Sequence, residues 1–565
     1  MDRKQPNKNL IDSNVSRRRF LQMAGVIGAG LVAQACGSQP AAPTQAPAAA
    51  ATTEGAKATA PAVVSAAKPG LAKGMIGGPT GFEGAERYQY GPDTPAGRAI
   101  EALKSLPADQ KPERLTIQLA DGALGHFQVG FPEGAPTVQQ IFEEDSGIKL
   151  EFVGISPDDQ FTKIIQETTT KAGKFDIYSF WGPDKGSLAE AGALLNLDEL
   201  VAKHKPEWEK HYVGGEITVQ QFNAHAGSFY AVSFDGDYQI WIYRQDLFED
   251  SKEQKAFKDK YGWDLQWPET WEQLDQIAEF FHRPDQNLFG VTDLRNQFWG
   301  YTNWYQRYAS GASPNQFYFD PATAKPLIDS EAGIQAAQEY ANTLKFRGPD
   351  GMTWGWPEQY ANMASGGAAV TCAFPNMPKF LDSPDNKDSK IVGKIRSGLA
   401  PGRIIDGKLV RRTVWWPNQT LGVSGQSKYG EAAYLFLQWA NSPQIYPWMV
   451  ANPAGFMDPF QNGDFDDPIV IKSYHDYHIP TYKTSIEHSV PPINLNGVNE
   501  YVSALETNLQ AVMTNQKSAE QAMKDAAAEW EKITDRLGRD KQITALQAQV
   551  PAYPSVIDEP TIKSA

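Results

Sequence analysis

Between Arg114 and Phe180 the apolar residues switch repeatedly between two spacings, and that alternation limits the possible folds more than any other feature of the chain. Leu115-Thr116-Ile117-Gln118-Leu119-Ala120 alternates with the period of two expected of a strand. Val138 to Glu144 follows the helical period and should stop at Gly147. Ile148 to Val153 alternates again. Asp158 and Asp159 are expected to cap a helix with the apolar stripe Phe161, Ile164 and Ile165, ending near Gly173. Phe175 to Phe180 is the next strand. Strand, helix, strand, helix, strand predicts an α/β unit on a largely parallel sheet. Such sheets hold ligands in the loops beyond the carboxyl ends of their strands. Asp121-Gly122 and Trp181-Gly182-Pro183-Asp184-Lys185 occupy those loops.

Charge narrows the partners. The 565-residue chain carries a formal net charge of −15. Its first 35 residues are basic, so the remainder is more acidic still. An acidic body argues against nucleic acid as the partner, because phosphates are held by basic surface. The basic segment reads as a targeting signal, outside the fold. Ser16-Arg17-Arg18-Arg19-Phe20-Leu21-Gln22 resembles a twin-arginine export signal, with Arg17 and Arg18 as its pair. The apolar stretch from Phe20 to Val32 is short for a permanent membrane span. Leu31-Val32-Ala33-Gln34-Ala35-Cys36-Gly37 looks like a bacterial lipoprotein cleavage box, although Gln34 departs from its commonest form. Cys36 would then be the lipidated first residue, anchored through its acyl chains on the outer face of the cytoplasmic membrane.

The other cysteine, Cys372, lies in the strand-like run Ala368 to Phe374 and reads as a buried structural thiol. Residues 36–70 are dominated by Ala, Pro, Thr, Gln and Ser, a composition that cannot offset the entropy of ordering and suits a flexible tether. Residues 71–113 contain Gly and Pro clusters and an amphipathic run, Ala96 to Leu106, and are expected to pack on the body as an appended segment. The body itself is assigned to 114–538, and 539–565 to a C-terminal tail.

Ordered segments along this body resemble the bacterial extracellular solute-binding proteins of the maltose-binding-like class. They are Phe175 to Asp184, Leu194 to Leu200, Gly227 to Val232, Ile240 to Phe248, Trp267 to Leu274, Met363 to Ala373, Leu421 to Trp439 and Ser518 to Gly538. Met363 and Val370 depart from the family pattern in their segment. The resemblance implies a two-lobed clamp of the type II periplasmic-binding-protein kind, with hinge-connected lobes around a central cleft. Lobe 1 would span about 114–237 and 420–460, lobe 2 about 243–415 and 490–538. Chain crossings are expected near Asp237 to Tyr243, near Trp416 to Gly422, and between about Asp458 and Leu495. Two local signals would hold in any fold. Thr270 and Gln273 have capping-box spacing, as do Ser518 and Gln521, and Gly538 is a plausible helix stop.

The implied partners are a small-molecule carbohydrate and the permease of an ABC importer, with the chain acting as a monomer and needing no cofactor. A sugar ring needs aromatic platforms for its C–H face and carboxylates or amides for its hydroxyls. The 15 Trp and 22 Tyr give the chain many platforms. Trp181 and Asp184 follow the third strand and are expected to face the ligand. Asp121 follows the first strand, and Asp235, Asp237 and Tyr238 precede the first crossing. Trp304 and Trp354 stand in aromatic clusters, Asn376 ends a strand, and Trp416 and Asn418 lie at the second crossing. Trp267 and Trp439 read as core. Arg411-Arg412 keeps open a non-sugar solute such as an organic acid, peptide or polyamine. Abundant carboxylates leave a secreted carbohydrate-active enzyme as a further alternative. His475 and His478, three apart with no third ligand, are a weak metal signal, and no metal is expected.

Overall fold

The computed structural model describes Lys68 and residues 70–348, 350–415 and 419–562. Arg17, Arg18, Cys36, Trp416 and Asn418 lie outside the described residues. In chain order the strands that build the two main sheets are β1 (Arg114–Ala120), β2 (Lys149–Ile155), β3 (Ile177–Trp181), β4 (Val232–Ser233), β5 (Ile240–Arg244), β6 (Phe289–Thr292), β7 (Ala368–Ala373), β8 (Ile395–Gly398) and β9 (Gln419–Val423).

The first sheet runs β2-β1-β3-β9-β4. β1 pairs in parallel with β2, from Arg114 opposite Lys149 to Ala120 opposite Ile155, and in parallel with β3. β9 runs antiparallel to both β3 and β4. Leu115, Ile117, Leu119 and Ala120 of the inner strand β1 are wholly buried. The edge strand β2 instead leaves Lys149 and Glu151 in solvent, the charged edge that discourages pairing with another chain.

The helices between these strands begin and end for local reasons. Val138–Ser146 opens on a capping box: the Gln140 N–H donates to Thr137 Oγ1 at 3.0 Å and the Thr137 N–H to Gln140 Oε1 at 2.8 Å. It stops at Gly147, whose φ of 75° suits glycine. The next helix, Pro157–Thr170, differs from the sequence expectation. Ser156 is its N-cap, without a side-chain capping bond, while Asp158 and Asp159 sit inside the first turn facing the helix dipole. It ends at Lys171, two residues before Gly173.

The second sheet runs β8-β5-β7-β6, with only β6 and β7 parallel. β7 is buried along its whole length, Cys372 included, and Gln306 Nε2 donates to the Cys372 thiol at 3.5 Å. Burial pushes that thiol well above its ordinary range, so it stays protonated and inert. The helix Trp271–Phe281 opens with the Thr270/Gln273 capping box in full. In Ala519–Leu537, Ser518 caps the Gln521 N–H, but the Gln521 side chain turns to Asp525 instead of closing a box.

Much of the aromatic content packs in a helix bundle beside the second sheet, built from Tyr301–Gly311, Glu331–Asn342, Val498–Met513 and Ala519–Leu537. Trp304 lies at 0 % exposure here, stacked on Tyr308 with a centroid distance of 5.1 Å and 4° between planes. Its indole N–H donates to Gly333 O.

The segment 71–113 covers one helix of the first sheet's half. Gly430–Ala440 (GEAAYLFLQWA) is apolar on all sides, so it needs a partner on every face. The helix Pro95–Ser105, capped by Thr94, supplies one. Tyr90 joins the two: its hydroxyl accepts from Trp439 Nε1 at 2.9 Å and donates to Asp145 Oδ2 at 2.6 Å. Residues 539–562 are packed as well. Asp558 bridges to Leu409 and accepts from His488, and Glu269 accepts the Thr561 and Ile562 N–H groups.

Two passages connect the sheets, and a third segment runs beside them. Phe234 to Gln239 links β4 to β5, and Tyr238 bridges antiparallel to Trp415 on the return toward β9. Ser489–Val490 then pairs in parallel with Thr413–Val414.

Candidate ligand crevice between the two sheets

The first passage delivers Asp235 and Asp237 to a wholly buried pocket of polar groups, where Asp458 joins them from the loop Asn452 to Phe460. One carboxylate oxygen from each aspartate lies within 4.8 Å of the others. The Asp458 N–H donates to Asp235 Oδ1 at 2.8 Å. Asn376, just past β7, donates from Nδ2 to Asp458 Oδ2 at 3.1 Å and to Phe456 O at 2.8 Å. Its Oδ1 accepts from the Tyr360 hydroxyl. The Tyr474 hydroxyl reaches Asp458 Oδ1 at 3.3 Å. Lys379 stands behind, its ammonium donating to the carbonyls of Val450, Asn452 and Met457.

Burial dominates the electrostatics here. It pushes the Asp235 and Asp458 carboxyls well above the usual range, and neighbouring carboxylates add to the effect: Asp237 for Asp235, and Asp235 for Asp458. Burial also pulls Lys379 down to about 8, against the opposing pull of Asp458 and Asp235.

The Asn452 to Phe460 loop is seated on the carboxyl end of β1, the edge where this sheet type holds ligands. A Cβ on Gly122 would come within 2.6 Å of the Phe456 ring, so only glycine permits that approach. His126 pins the loop from below: Nε2 accepts the Met457 N–H at 2.8 Å, which leaves Nδ1 to donate to Met449 O at 2.9 Å. Burial, and then Lys379, hold this imidazole neutral, with a pKa lowered to about 3.

Aromatic rings carried by the two sheets also meet. Trp181, at the end of β3, meets Phe298, on the loop after β6, edge to face at 6.4 Å. Phe298 is 38 % exposed and has a φ of +72°, a strained conformation for a residue with a Cβ. Trp299 packs edge-on to Phe374 at 5.7 Å, two residues before Asn376. The helix Val498–Met513 supports both walls. Asn499 donates to Asp184 Oδ1 at 2.8 Å, and Glu506 accepts the N–H groups of Phe298 and Tyr301. Burial raises Asp184 and Glu506 to about 7 each, although these hydrogen bonds oppose the shift.

The structure therefore brings Asp235 and Asp237 together with Asp458, which Asn376 contacts, while Trp181 is half-buried against Phe298 and Asp184 is buried under Asn499. Other sequence candidates stand apart. Trp304 is core of the helix bundle, Trp354 packs edge-on against Phe289 at the first residue of β6, and Asp121 is solvent-exposed beside β1. Trp439 is fully buried, while Trp267 is half-buried and stacked on Tyr243. Asp458, Lys379, His126, Phe298 and Glu506 were not expected. The first sits in an irregular stretch without periodicity, and the last two act through loop geometry that spacing does not reveal.

Residues 128–447 match the family described as bacterial extracellular solute-binding protein. The chain belongs to that family. A relative from Sinorhizobium fredii, named a probable amino-acid ABC transporter periplasmic-binding protein, is 22 % identical over 361 residues, covering 61 % of this chain and 73 % of the relative. A solute-binding protein of Agrobacterium radiobacter K84 in complex with ribitol superposes with a TM-score of 0.61 at 18 % identity, covering 75 % of this chain and 100 % of the other. Maltose-bound MalE3 of T. maritima gives 0.59 at 17 %, over 74 % and 99 %. These likenesses establish the fold, the two-lobed clamp of periplasmic binding proteins. Among the described residues no helix is long and apolar enough to cross a membrane.

Proposed function

We propose that this chain is the solute-binding component of an ABC importer and that its solute is a carbohydrate or polyol held between the two sheets. The observation that carries this reading is the gathering of buried carboxylates and an amide, Asp235, Asp237, Asp458 and Asn376, at the passage between the sheets, together with Trp181 and Phe298, rings from the two sheets that meet edge to face. That set matches rings that are apolar on one face and hydroxylated at the edge. The arginine pair that would have suited an acidic solute is engaged elsewhere. Arg411 donates to Ala400 O and pairs with Asp558, and Arg412 donates to Gln316, Arg411 O, Val556 O and Pro554 O. The relatives of known structure bound to ribitol and maltose support the same class.

In this reading the two passages and the segment beside them are the hinge, and closure of lobe 1 (about 114–237 and 420–460) on lobe 2 (about 243–415 and 490–538) encloses the solute without chemical change. Residues 1–35 are a twin-arginine signal read through Arg17 and Arg18, and Cys36 carries the lipid that holds the monomer beside its permease. The name of the Sinorhizobium fredii relative favours a second reading, an amino acid whose ammonium would face the buried aspartates.

A thermal-shift screen of the full chain carrying Cys36→Ser separates the two. Pentitols, hexitols, mono- and oligosaccharides and amino acids are tested in parallel. Binding to the folded state stabilises it by RT ln(1 + [L]/Kd), about 2.7 kcal/mol at a hundredfold excess over Kd. A shift with amino acids alone would replace the carbohydrate reading.

A further inference from the structure

We propose that Asp235, Asp237 and Asp458, the carboxylates of the solute reading, form a calcium site in the solute-free protein that ties the first passage between the sheets to the Asn452 to Phe460 loop. Among the described residues this trio is the one grouping of carboxylate, imidazole or thiol ligands with metal-binding geometry. Two oxygens bound to the same Ca²⁺ at about 2.4 Å lie no more than about 5 Å apart. The aspartate oxygens, within 4.8 Å of one another, meet that limit without rearrangement of the backbone.

A second observation points to an occupant. Asp235 Oδ1 is taken by the Asp458 N–H, but Oδ2 is buried without a hydrogen-bond partner. The hydroxyl of Tyr238, the residue after Asp237, is likewise fully buried and unpartnered. Buried polar atoms almost always have partners, and orphans at one place indicate a missing group. Charge agrees. Among the described residues the ammonium beside Asp235 and Asp458 is that of Lys379, and its hydrogen bonds go to carbonyls rather than to the carboxylates.

The donor set selects the metal. It offers oxygen only, since both nitrogens of the nearby His126 are engaged. Hard oxygen donors favour Ca²⁺ over zinc or copper. Gly236 explains how two aspartates on one short turn approach a third. A Cβ there would lie 2.9 Å from Asp458 O and from Phe460 Cβ, so a larger residue would push the loop away.

The test uses the full Cys36→Ser chain, stripped with EDTA and dialysed free of sugars, so that it is independent of the solute reading. Calorimetric titration with CaCl₂ is expected to give one site with a Kd below about 1 mM, the weak end of calcium affinities in extracellular modules. Tb³⁺ should show emission sensitised by the neighbouring tyrosines, and Ca²⁺ should quench it. Asp237→Asn should weaken Ca²⁺ binding at least tenfold while the metal-free melting temperature stays level or rises, because a repelling charge is gone. Asp235→Asn serves if that variant does not fold, and the exposed Asp158→Asn should change nothing. Absence of both heat and Tb³⁺ emission up to about 1 mM overturns the proposal. So does binding that persists undiminished in the folded Asp237→Asn and Asp235→Asn chains.

Discussion

The backbone N–H of Asp458 donates to the side chain of Asp235, 223 residues earlier, at 2.8 Å. That bond fastens the loop on the carboxyl end of β1 to the passage that leaves for the second sheet. A group that disturbs the aspartates therefore acts on the loop and the passage at once.

Glu506 should make stability depend on pH. Its folded pKa, about 7, is raised above the unfolded value by burial. The folded state then binds more protons than the unfolded one between about pH 4 and 7. Its contribution is fully present below about pH 4 and is lost as pH rises through 7. Glu506→Gln keeps an acceptor for Phe298 and Tyr301 without the buried charge. Chemical denaturation should find the variant about 2 to 4 kcal/mol more stable at pH 8, with no difference at pH 4.

Trp181→Ala removes an aromatic platform. Calorimetric titration with the solute found by the screen should show a loss of at least about 2 kcal/mol, roughly thirtyfold in affinity. The indole is only half-buried, so the melting transition should survive. Unchanged affinity would move the solute toward the inner aspartates.

Tyr90→Phe tests whether segment 71–113 is integral to the body. The change removes the Tyr90 acceptor of Trp439 Nε1 and one donor to Asp145, which also accepts the Gly78 N–H. A loss of about 1 to 3 kcal/mol is expected in urea denaturation. Stability equal to the parent would mean that the segment is dispensable.

The export and anchor readings are tested in cells. Cys36→Ser should move the protein from the membrane to the soluble fraction at high salt. Lys in place of both Arg17 and Arg18 should retain the chain in the cytoplasm without changing its melting temperature.

How much of this was legible before folding depended on periodicity. β1 and the Val138–Ser146 helix were readable because one buried face imposes a regular spacing and Gly147 stops the helix. Trp304 was misleading for the opposite reason. An aromatic beside other aromatics looks like a sugar platform, yet helical spacing aims it at the bundle, where stacking on Tyr308 accounts for it. Asp235 and Asp237 were visible as polar residues beside a strand crossing. Asp458 was not, because its position is set by His126, Gly122 and Gly236 across the fold, and no local pattern encodes those approaches.

The two ends of the described chain report on different lobes. The early helix Pro95–Ser105 rides on Gly430–Ala440 beside the first sheet, whereas Thr561 and Ile562 are fixed to Glu269 beside the second. A donor dye near Glu101 and an acceptor near Glu559 would thus sit on opposite jaws. If the lobes close on a solute as proposed, their transfer efficiency would follow that motion.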